Sequence, residues 1–216
     1  MKGCFLVFEG PEGAGKSLQI ARLAARLSAS GVPHTVTREP GGTAAAEAIR
    51  SVLLDRPELH LDGVAEVLLF SASRRVHVDE VIRPVLGRGE VVLSDRFELS
   101  TRVYQGWARG VPPETIEQVT RAATGGLVPD LYIVLDVPVM VGTDRREAHG
   151  GRPDRIEREA EVFMERVREG YRELAAGEDG IAILDGSGTP DEVEARILAL
   201  LEERFPGRFR GANFPL

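Results

Sequence analysis

An eight-residue segment near the N-terminus has the composition and spacing of a phosphate-binding loop. Its sequence, Gly10-Pro11-Glu12-Gly13-Ala14-Gly15-Lys16-Ser17, matches the pattern G-x-x-x-x-G-K-[ST]. The glycines permit backbone angles that turn successive N–H groups onto phosphate oxygens. Lys16 can reach the β- and γ-phosphates of ATP, and the Ser17 hydroxyl can bind Mg²⁺. All eight residues are therefore predicted to bind ATP, with Lys16 catalytic and Ser17 a metal ligand.

The lysine of this loop is unusual within the chain. Among the 27 basic residues only Lys2 and Lys16 are lysines, so arginine supplies nearly all the other positive charge. A compact ammonium on a flexible stem is not equivalent to a planar guanidinium. The lysine at position 16 therefore indicates a position that needs this side chain in particular.

The composition is that of a globular protein, which we expect to form one domain over residues 1–216. Of its 216 residues 43 % are apolar, and no apolar stretch approaches the ~20 residues of a membrane span. The net charge of −7 argues against a general binder of nucleic acid or membrane surfaces. The chain leads directly into a strand rather than a signal peptide, and its one cysteine, Cys4, cannot form an internal disulfide. We therefore expect a cytoplasmic location.

Apolar runs and helical periodicities alternate along the chain. After the loop, apolar residues recur at helical spacing up to Gly31. Strands are predicted at 4–8, 35–37, 91–93, 131–135 and 181–184, and further helices at 42–54, 63–86, 101–109, 113–124, 139–149, 154–176 and 191–204. This alternation predicts an α/β protein with the P-loop three-layer fold: a five-stranded parallel sheet, helices on both faces, and a lid.

Two charged segments follow predicted strands and should lie at the carboxyl edge of the sheet, where open α/β folds bind ligands. Arg38 follows the second strand, and a surface ion pair with Glu39 is its alternative interpretation. Asp95 and Arg96 end the third strand. Asp95 can hold Mg²⁺ through water near Ser17, and Arg96 can bridge two phosphates. The alternative is an adjacent ion pair that serves only the fold.

The helix predicted at 63–86 carries two different faces. One face has the apolar spacing of a core stripe: Ala65, Leu68, Leu69 and Ala72. The opposite face carries Phe70, Arg74 and His77. An aromatic ring and a guanidinium four residues apart suit the stacking and edge-bonding of a flat base. Packing of Phe70 under another element, capped by Arg74, is the alternative, and His77 is better explained as structural.

The segment from Arg145 to Pro153 has the features of a mobile lid, with bounds of about 143–155. It has paired glycines and several cations, and an Asp154…Glu157 capping box restarts a helix after it. The phosphate loop contains Glu12 but no arginine, so a guanidinium for transition-state charge must come from elsewhere. The lid can supply it, and the candidates are Arg145, Arg146 and Arg152, with Arg152 preferred. A solvated charge run is the alternative.

Several segments together resemble the thymidylate kinase family along nearly the whole chain. They are Phe8-Glu9-Gly10 to Ser17, Thr37-Arg38-Glu39-Pro40-Gly41-Gly42-Thr43, Leu69-Phe70-Ser71-Ala72-Ser73-Arg74, Ser94-Asp95-Arg96-Phe97 with Ser100 and Tyr104-Gln105-Gly106, and Leu135-Asp136-Val137-Pro138 with Asp154-Arg155-Ile156-Glu157. The Arg-Glu-Pro-Gly-Gly-Thr segment is the most specific, because other nucleoside monophosphate kinases lack it. The resemblance is to the bacterial subclass, in which the catalytic arginine comes from the lid.

This resemblance implies transfer of the γ-phosphoryl of Mg·ATP to dTMP, and it implies roles for individual residues. Arg38 would bind the acceptor's monophosphate, Phe70 would stack on thymine, and Arg74 would bond its O4. Glu12 would accept a hydrogen bond from the 3′-hydroxyl. The residues expected to face the nucleoside are Ser100, Thr101 and Tyr104, whose ring would crowd the 2′ position, with Gln105 a further base or sugar contact. Family members are homodimers that pack helices from the middle of the chain.

Two other functions fit the same sequence features. Another nucleoside monophosphate or deoxynucleoside kinase would share most of these features. A non-catalytic P-loop sensor is the more distant alternative, although such a protein would be expected to lose Asp95 or the lid arginines. The contacts to adenine are not defined by the sequence, and the loop Asp185-Gly186-Ser187-Gly188 is a weak candidate by its position after the last strand.

Overall fold

The computed structural model describes residues 3–148, 154–156, 159 and 161–209. Five strands form one parallel sheet: β1 (Cys4–Glu9), β2 (His34–Arg38), β3 (Val91–Asp95), β4 (Leu131–Asp136) and β5 (Ile181–Asp185). Their order in the sheet is β2-β3-β1-β4-β5. The central strand β1 is buried along its whole length, as its continuous apolar run predicts. From β1 the chain builds the sheet first on one side, with β2 and β3, and then on the other, with β4 and β5. Such a reversal of direction opens a crevice at the carboxyl edge of the sheet.

Helices cover both faces of the sheet. They are α1 (Lys16–Ala29), α2 (Ala44–Leu54), α3 (Gly63–His77), α4 (Arg83–Gly87), α5 (Glu98–Thr101), α6 (Pro113–Thr124), α7 (Val139–Ala148), α8 (Glu161–Gly177) and α9 (Pro190–Arg204). A π-helical turn, Val78–Ile82, joins α3 to α4, and a second, Arg102–Ala108, continues α5. Thr43 caps the N-terminus of α2 by accepting from the backbone N–H of Ala46.

Two apolar clusters lie on opposite faces of the sheet because successive side chains of a strand point to opposite sides. On β1, Phe5 and Val7 belong to the cluster packed under the helices from the middle of the chain. Leu6 and Phe8 belong to the cluster under α1 and α9. The three-layer prediction is confirmed, and the five strands extend at most two residues beyond their predicted bounds.

The predicted core stripe of α3 is wrong at two positions. Leu68 is 54 % exposed, and Ala72 is exposed as well. The buried face of the helix instead carries Val67, Arg74 and His77. The prediction failed because the buried face of α3 carries polar side chains that bond one another and their neighbours, as described below. Periodicity alone cannot distinguish such a buried polar face from a polar face exposed to solvent.

The prediction of a helix from residue 154 is also wrong in its first turns. Residues 155–156 form a turn, in which the Asp154 carboxylate accepts from the backbone N–H of Ile156 at 2.8 Å. Helix α8 begins only at Glu161. A bond to the residue two positions on is a local Asx turn and not a helix cap. Glu157, the partner expected for a capping box, lies outside the described residues. Within the described ranges, no helix is long and apolar enough to cross a membrane.

Candidate active site

The phosphate loop connects the end of β1 to the start of α1. Gly10 has a φ of 131°, and a Cβ there would lie 2.4 Å from the carbonyl oxygen of Leu135, so only glycine fits. The Lys16 ammonium donates to the carbonyl oxygens of Gly10 at 3.1 Å and Pro11 at 2.9 Å. Burial lowers the pKa of Lys16, and the positive charge of Arg96 lowers it further. An anionic ligand in the loop would relieve both effects.

Ser17 and Asp95 meet at the carboxyl edge of the sheet. The Ser17 hydroxyl donates to a carboxylate oxygen of Asp95 at 2.7 Å. Asp95 ends β3, and Ser17 lies in the first turn of α1, so two neighbouring strands bring these distant residues together. Two hard oxygen donors at this separation fit a small divalent cation.

Arg96 follows β3 with a φ of 73°, a left-handed conformation that non-glycine residues adopt rarely. One of its terminal nitrogens donates to the hydroxyls of Ser100 at 3.1 Å and Tyr171 at 3.3 Å. The other donates to the Glu12 carboxylate at 3.2 Å and the Tyr104 hydroxyl at 3.4 Å. This unusual backbone conformation therefore aims the guanidinium across the phosphate loop, as a functional site can require.

A buried carboxylate that sequence reasoning missed supports this arrangement. Glu9 is fully buried and accepts from the Ser100 hydroxyl at 2.7 Å, from the Tyr171 hydroxyl at 2.8 Å and from the backbone N–H of Phe97 at 2.9 Å. Burial raises the pKa of Glu9, although Arg96 and these hydrogen bonds oppose the increase. A glutamate ending an apolar strand directly before the loop was the available signal. Tyr171, more than 160 positions away in sequence, offered none.

The other side of the site is organised by Arg74. Its Nε donates to Glu39 at 2.7 Å, and one terminal nitrogen donates to the carbonyl of Phe97 and to the Thr101 hydroxyl, both at 3.1 Å. The other terminal nitrogen is buried and has no hydrogen-bond partner in the described part of the chain. Arg74 is only 1 % exposed. A buried donor without a partner is costly in a folded protein, and a bound ligand is one way to satisfy it.

Glu39 also binds His77, whose Nδ1 lies 3.0 Å from the second carboxylate oxygen. His77 is fully buried and contacts the Thr37 hydroxyl at 2.6 Å, which suits a structural role. Glu39 is therefore not the partner of Arg38. The alternative of an Arg38–Glu39 surface pair is wrong, since Arg38 donates to Glu47 at 2.8 Å instead.

Most of these groups line one cavity of about 750 Å³, whereas Glu9, His77 and Tyr171 are not part of its wall. The predicted site residues found in its wall are Glu12, Gly13, Ala14, Gly15, Lys16, Ser17, Arg38, Phe70, Arg74, Asp95, Arg96, Ser100, Thr101, Tyr104, Gln105 and Arg145. Gly10 and Pro11 do not contribute to that wall and serve Lys16 through their carbonyls. The volume suits a nucleotide-sized ligand, and the wall extends from the phosphate loop to Phe70.

Of the segment predicted to be a lid, at about 143–155, the structure describes residues 143–148, at the end of α7, and residues 154–155. Arg145 in α7 donates to the carbonyls of Gly186 at 3.2 Å and Gly188 at 3.3 Å. Both glycines line the cavity. Arg152 and the side chain of Arg146 lie outside the described residues. Arg145 thus ties α7 to the loop after β5.

Helix α7 also lies directly against the phosphate loop. A Cβ at Gly142 would lie 2.3 Å from the carbonyl oxygen of Glu12, and one at Gly13 would lie 2.1 Å from the carbonyl oxygen of Gly142. Real Cβ atoms essentially never approach other atoms so closely. The two backbones can meet only because both positions are glycine.

The site defines a P-loop nucleotide kinase. Its phosphate loop follows a central parallel strand, a serine–aspartate pair lies beside the loop, and the cavity continues to a buried guanidinium. The family model described as thymidylate kinase matches residues 8–197. The chain belongs to the thymidylate kinase family. Members of this family are ATP-dependent phosphotransferases, and this chain is an enzyme of that class.

Individual relatives agree with this assignment. Thymidylate kinase of Deinococcus radiodurans is 47 % identical, over 94 % of this chain and 98 % of the relative. Thymidylate kinase of Symbiobacterium thermophilum is 46 % identical, over 97 % of both chains. The crystal structure of thymidylate kinase from Ehrlichia chaffeensis, 29 % identical, superposes with a TM-score of 0.76 and covers 93 % of this chain and 100 % of that one.

Proposed function

We propose that this protein transfers the γ-phosphoryl group of Mg·ATP to dTMP, giving dTDP and ADP. Family membership supports the reaction, and the observation that carries the substrate is Arg74. Its buried guanidinium has one nitrogen without a protein partner, in the wall of the same cavity as Phe70 and the phosphate loop. A flat base between an aromatic ring and a fixed donor is the ligand this arrangement suits.

The donor nucleotide would occupy the phosphate loop. The N–H groups of the loop and the start of α1 would bind its phosphates, and the Lys16 ammonium would turn from the carbonyls of Gly10 and Pro11 to phosphate oxygens. The acceptor is already an oxyanion at neutral pH, so a strong general base is unnecessary. The site must position the reactants and compensate charge.

Ser17 and Asp95 would hold the Mg²⁺ that arrives with ATP. When bound, the ion neutralises phosphate charge and orients the phosphates. In the described ranges no group of three or more His, Cys, Asp or Glu could hold a metal by itself. A Mg²⁺ site that is completed by substrate phosphates needs only one or two protein ligands.

The acceptor's phosphate and sugar would lie between the phosphate loop and the Ser100–Tyr104 segment. Arg96 would bridge the two nucleotides, since it already joins Glu12 to that segment. Burial raises the pKa of Tyr104 to about 12, so its hydroxyl stays neutral and its ring can crowd the 2′ position. Arg38 would bind the 5′-phosphate, and Glu12 the 3′-hydroxyl.

The lid would supply the guanidinium that stabilises the transferring phosphoryl group. Arg145 bonds the loop after β5, which supports a role in ordering the lid and the adenine side. Arg152 remains our preferred catalytic residue, with Arg146 and Arg145 the alternatives.

Turnover with Mg·ATP and each of dTMP, dUMP, UMP, AMP and GMP tests the proposal, with ADP release as the measurement. We expect dTMP to give the highest kcat/KM, and UMP to fall well below dUMP because of the ribose 2′-hydroxyl. Strongest activity on AMP or GMP would show that the substrate assignment is wrong but that the protein is still a nucleotide kinase. No ADP release with any acceptor would overturn the reaction itself.

We also propose a homodimer formed through the outer face of α3. Val64 and Leu68 lie one turn apart on that face and are 44 % and 54 % exposed. Adjacent exposed apolar side chains on a helix favour burial against a partner. Light scattering of the purified protein tests this, and a monomer mass would refute it. A cytoplasmic location fits the proposed reaction and stays a prediction.

A further inference from the structure

Glu66 is a fully buried carboxylate on α3 with three donors around it. It accepts from the Gln105 amide at 2.9 Å, from Arg109 Nε at 2.8 Å and from Arg155 Nη2 at 2.6 Å. Gln105 lies in the π-helical segment that continues α5, and Arg109 directly follows that segment. Arg155 lies between α7 and α8. Glu66 is not among the described residues that line the cavity. Glu66 can therefore influence a ligand in the cavity only through the residues that it bonds.

Gln105 is the first link between Glu66 and the cavity. Its side chain lies in the cavity wall and is 1 % exposed. A carboxylate only accepts hydrogen bonds, so Glu66 holds the NH₂ end of the amide and prevents the amide from flipping. The orientation of Gln105 towards a ligand is thus set by Glu66.

Arg155 is the second link. Its backbone N–H donates to the carbonyl of Leu54 at 3.1 Å, and its Nε donates to the carbonyl of Leu53 at 2.8 Å. The neighbours Asp154 and Ile156 line the cavity, as does Leu54. Arg155, whose guanidinium is fixed by Glu66, therefore holds residues 154–156 against the C-terminal end of α2.

Arg109 adds a further attachment in the same direction. While its Nε binds Glu66, its Nη2 donates to Glu159 at 2.7 Å. One buried negative charge thus compensates two guanidiniums on segments that are not otherwise close in sequence. Its removal would take the carboxylate from Arg155 Nη2 and leave Arg109 with Glu159 alone, so both segments would have to shift.

We propose that Glu66 is a positioning residue for the acceptor nucleotide. It fixes Gln105 and residues 154–156 relative to the helix that carries Phe70 and Arg74. The residues that would recognise the nucleobase and the segment that follows the predicted lid are thus positioned by the same carboxylate. The inference rests on the proposed dTMP kinase function. Because the wall contacts the acceptor before and during transfer, its displacement should raise KM more than it lowers kcat.

The test is steady-state kinetics and thermal unfolding of the native enzyme, Glu66→Gln and a matched control, Glu194→Gln. Glu194 likewise bonds two arginines, Arg22 and Arg26, but at the interface of α1 and α9. We expect Glu66→Gln to raise KM for dTMP at least fivefold while KM for ATP changes less than twofold. Glu194→Gln should lower the melting temperature and leave KM for dTMP unchanged.

Two outcomes would overturn the inference. An unchanged KM for dTMP in Glu66→Gln, with a lowered melting temperature, would show a purely structural carboxylate. A native enzyme that does not phosphorylate dTMP would overturn the proposed function and this inference with it. If Glu66→Gln does not fold, Arg155→Lys decides by the same KM criterion, since an ammonium lacks the fork that reaches Leu53 and Glu66 together.

Discussion

Lys16 binds two carbonyl oxygens of its own loop and is only 6 % exposed. Its burial beside Arg96 disfavours the charged form, while the carboxylates of Glu12, Asp95 and Glu9 favour it. A triphosphate would bring far more negative charge to the same place. The compact ammonium can exchange carbonyl oxygens for phosphate oxygens by rotation about a flexible stem, which a planar guanidinium cannot do in the same space.

We therefore expect Lys16→Ala to lower kcat/KM by about 10²–10³-fold, the cost typical of removing one transition-state donor. Lys16→Arg should restore little of this activity although it keeps the charge. Steady-state kinetics with dTMP and ATP measure both variants, with circular dichroism to verify folding. Near-native activity in Lys16→Arg would contradict the specific need for lysine.

At the scale of elements, the contact between α7 and the phosphate loop determines where the segment predicted to be a lid starts. Gly142 and Gly13 bring the two backbones together, and Arg145 lies one turn further along α7. The backbone of the phosphate loop and the helix that leads to the predicted lid are thus held in a fixed relative position. A shift of either would misplace charge relative to the transferring group.

Gly142→Ala tests this contact. The new Cβ would lie 2.3 Å from the Glu12 carbonyl oxygen, so helix or loop must move, and a misplacement of about 1 Å can cost ~10²-fold in rate. We expect kcat/KM to fall at least ~10-fold. Gly177→Ala is the control, because a Cβ there meets nothing within 4 Å. That variant should be as active as the native enzyme and up to about 1 kcal/mol more stable; equal kinetics in both variants would remove the role assigned to Gly142.

At the scale of the whole molecule, an ion-pair cluster fastens the last helix to the phosphate-loop helix. Glu194 on α9 bonds Arg22 at 2.5 Å and Arg26 at 2.6 Å, both on α1. The hydrogen bond from Arg26 is the largest cause that lowers the pKa of Glu194 from 4.5 to about 2; burial opposes it, and the hydrogen bond from Arg22 and the charges of both arginines lower the pKa further. Gln19 on α1 also donates to the carbonyl of Pro190 at the start of α9.

This shift predicts how stability depends on pH. Between pH 4.5 and about 2 the unfolded chain binds a proton at Glu194 that the folded chain does not, so acid favours unfolding there. The contribution is complete above pH 4.5 and is lost as the pH falls towards 2. With solvent screening it amounts to about 1 kcal/mol. Urea unfolding at pH 6 and pH 3 should show a smaller loss of stability in Glu194→Gln than in the native protein, and an equal loss in both would contradict this.

The sequence by itself determined the phosphate loop, the order of strands and helices, and the family. These features are local: the pattern from Gly10 to Ser17 and the apolar runs of the strands are each contained in a few consecutive residues. The α/β fold followed from their alternation, and the thymidylate kinase prediction is confirmed by the family match. The roles of individual site residues remain predictions.

Only the tertiary structure decided which face of α3 is buried, which carboxylate holds Arg74, and how Glu9 and Glu66 support the site. Leu68 was predicted on the core stripe of α3 and Arg74 on the opposite face. In the structure Leu68 is exposed, and Arg74 is buried and bonds Glu39 and the Phe97 carbonyl. The energy of a buried charge depends on partners that lie as far as 162 positions away in sequence. Local periodicity contains no information about such pairs, because they exist only once the chain has folded.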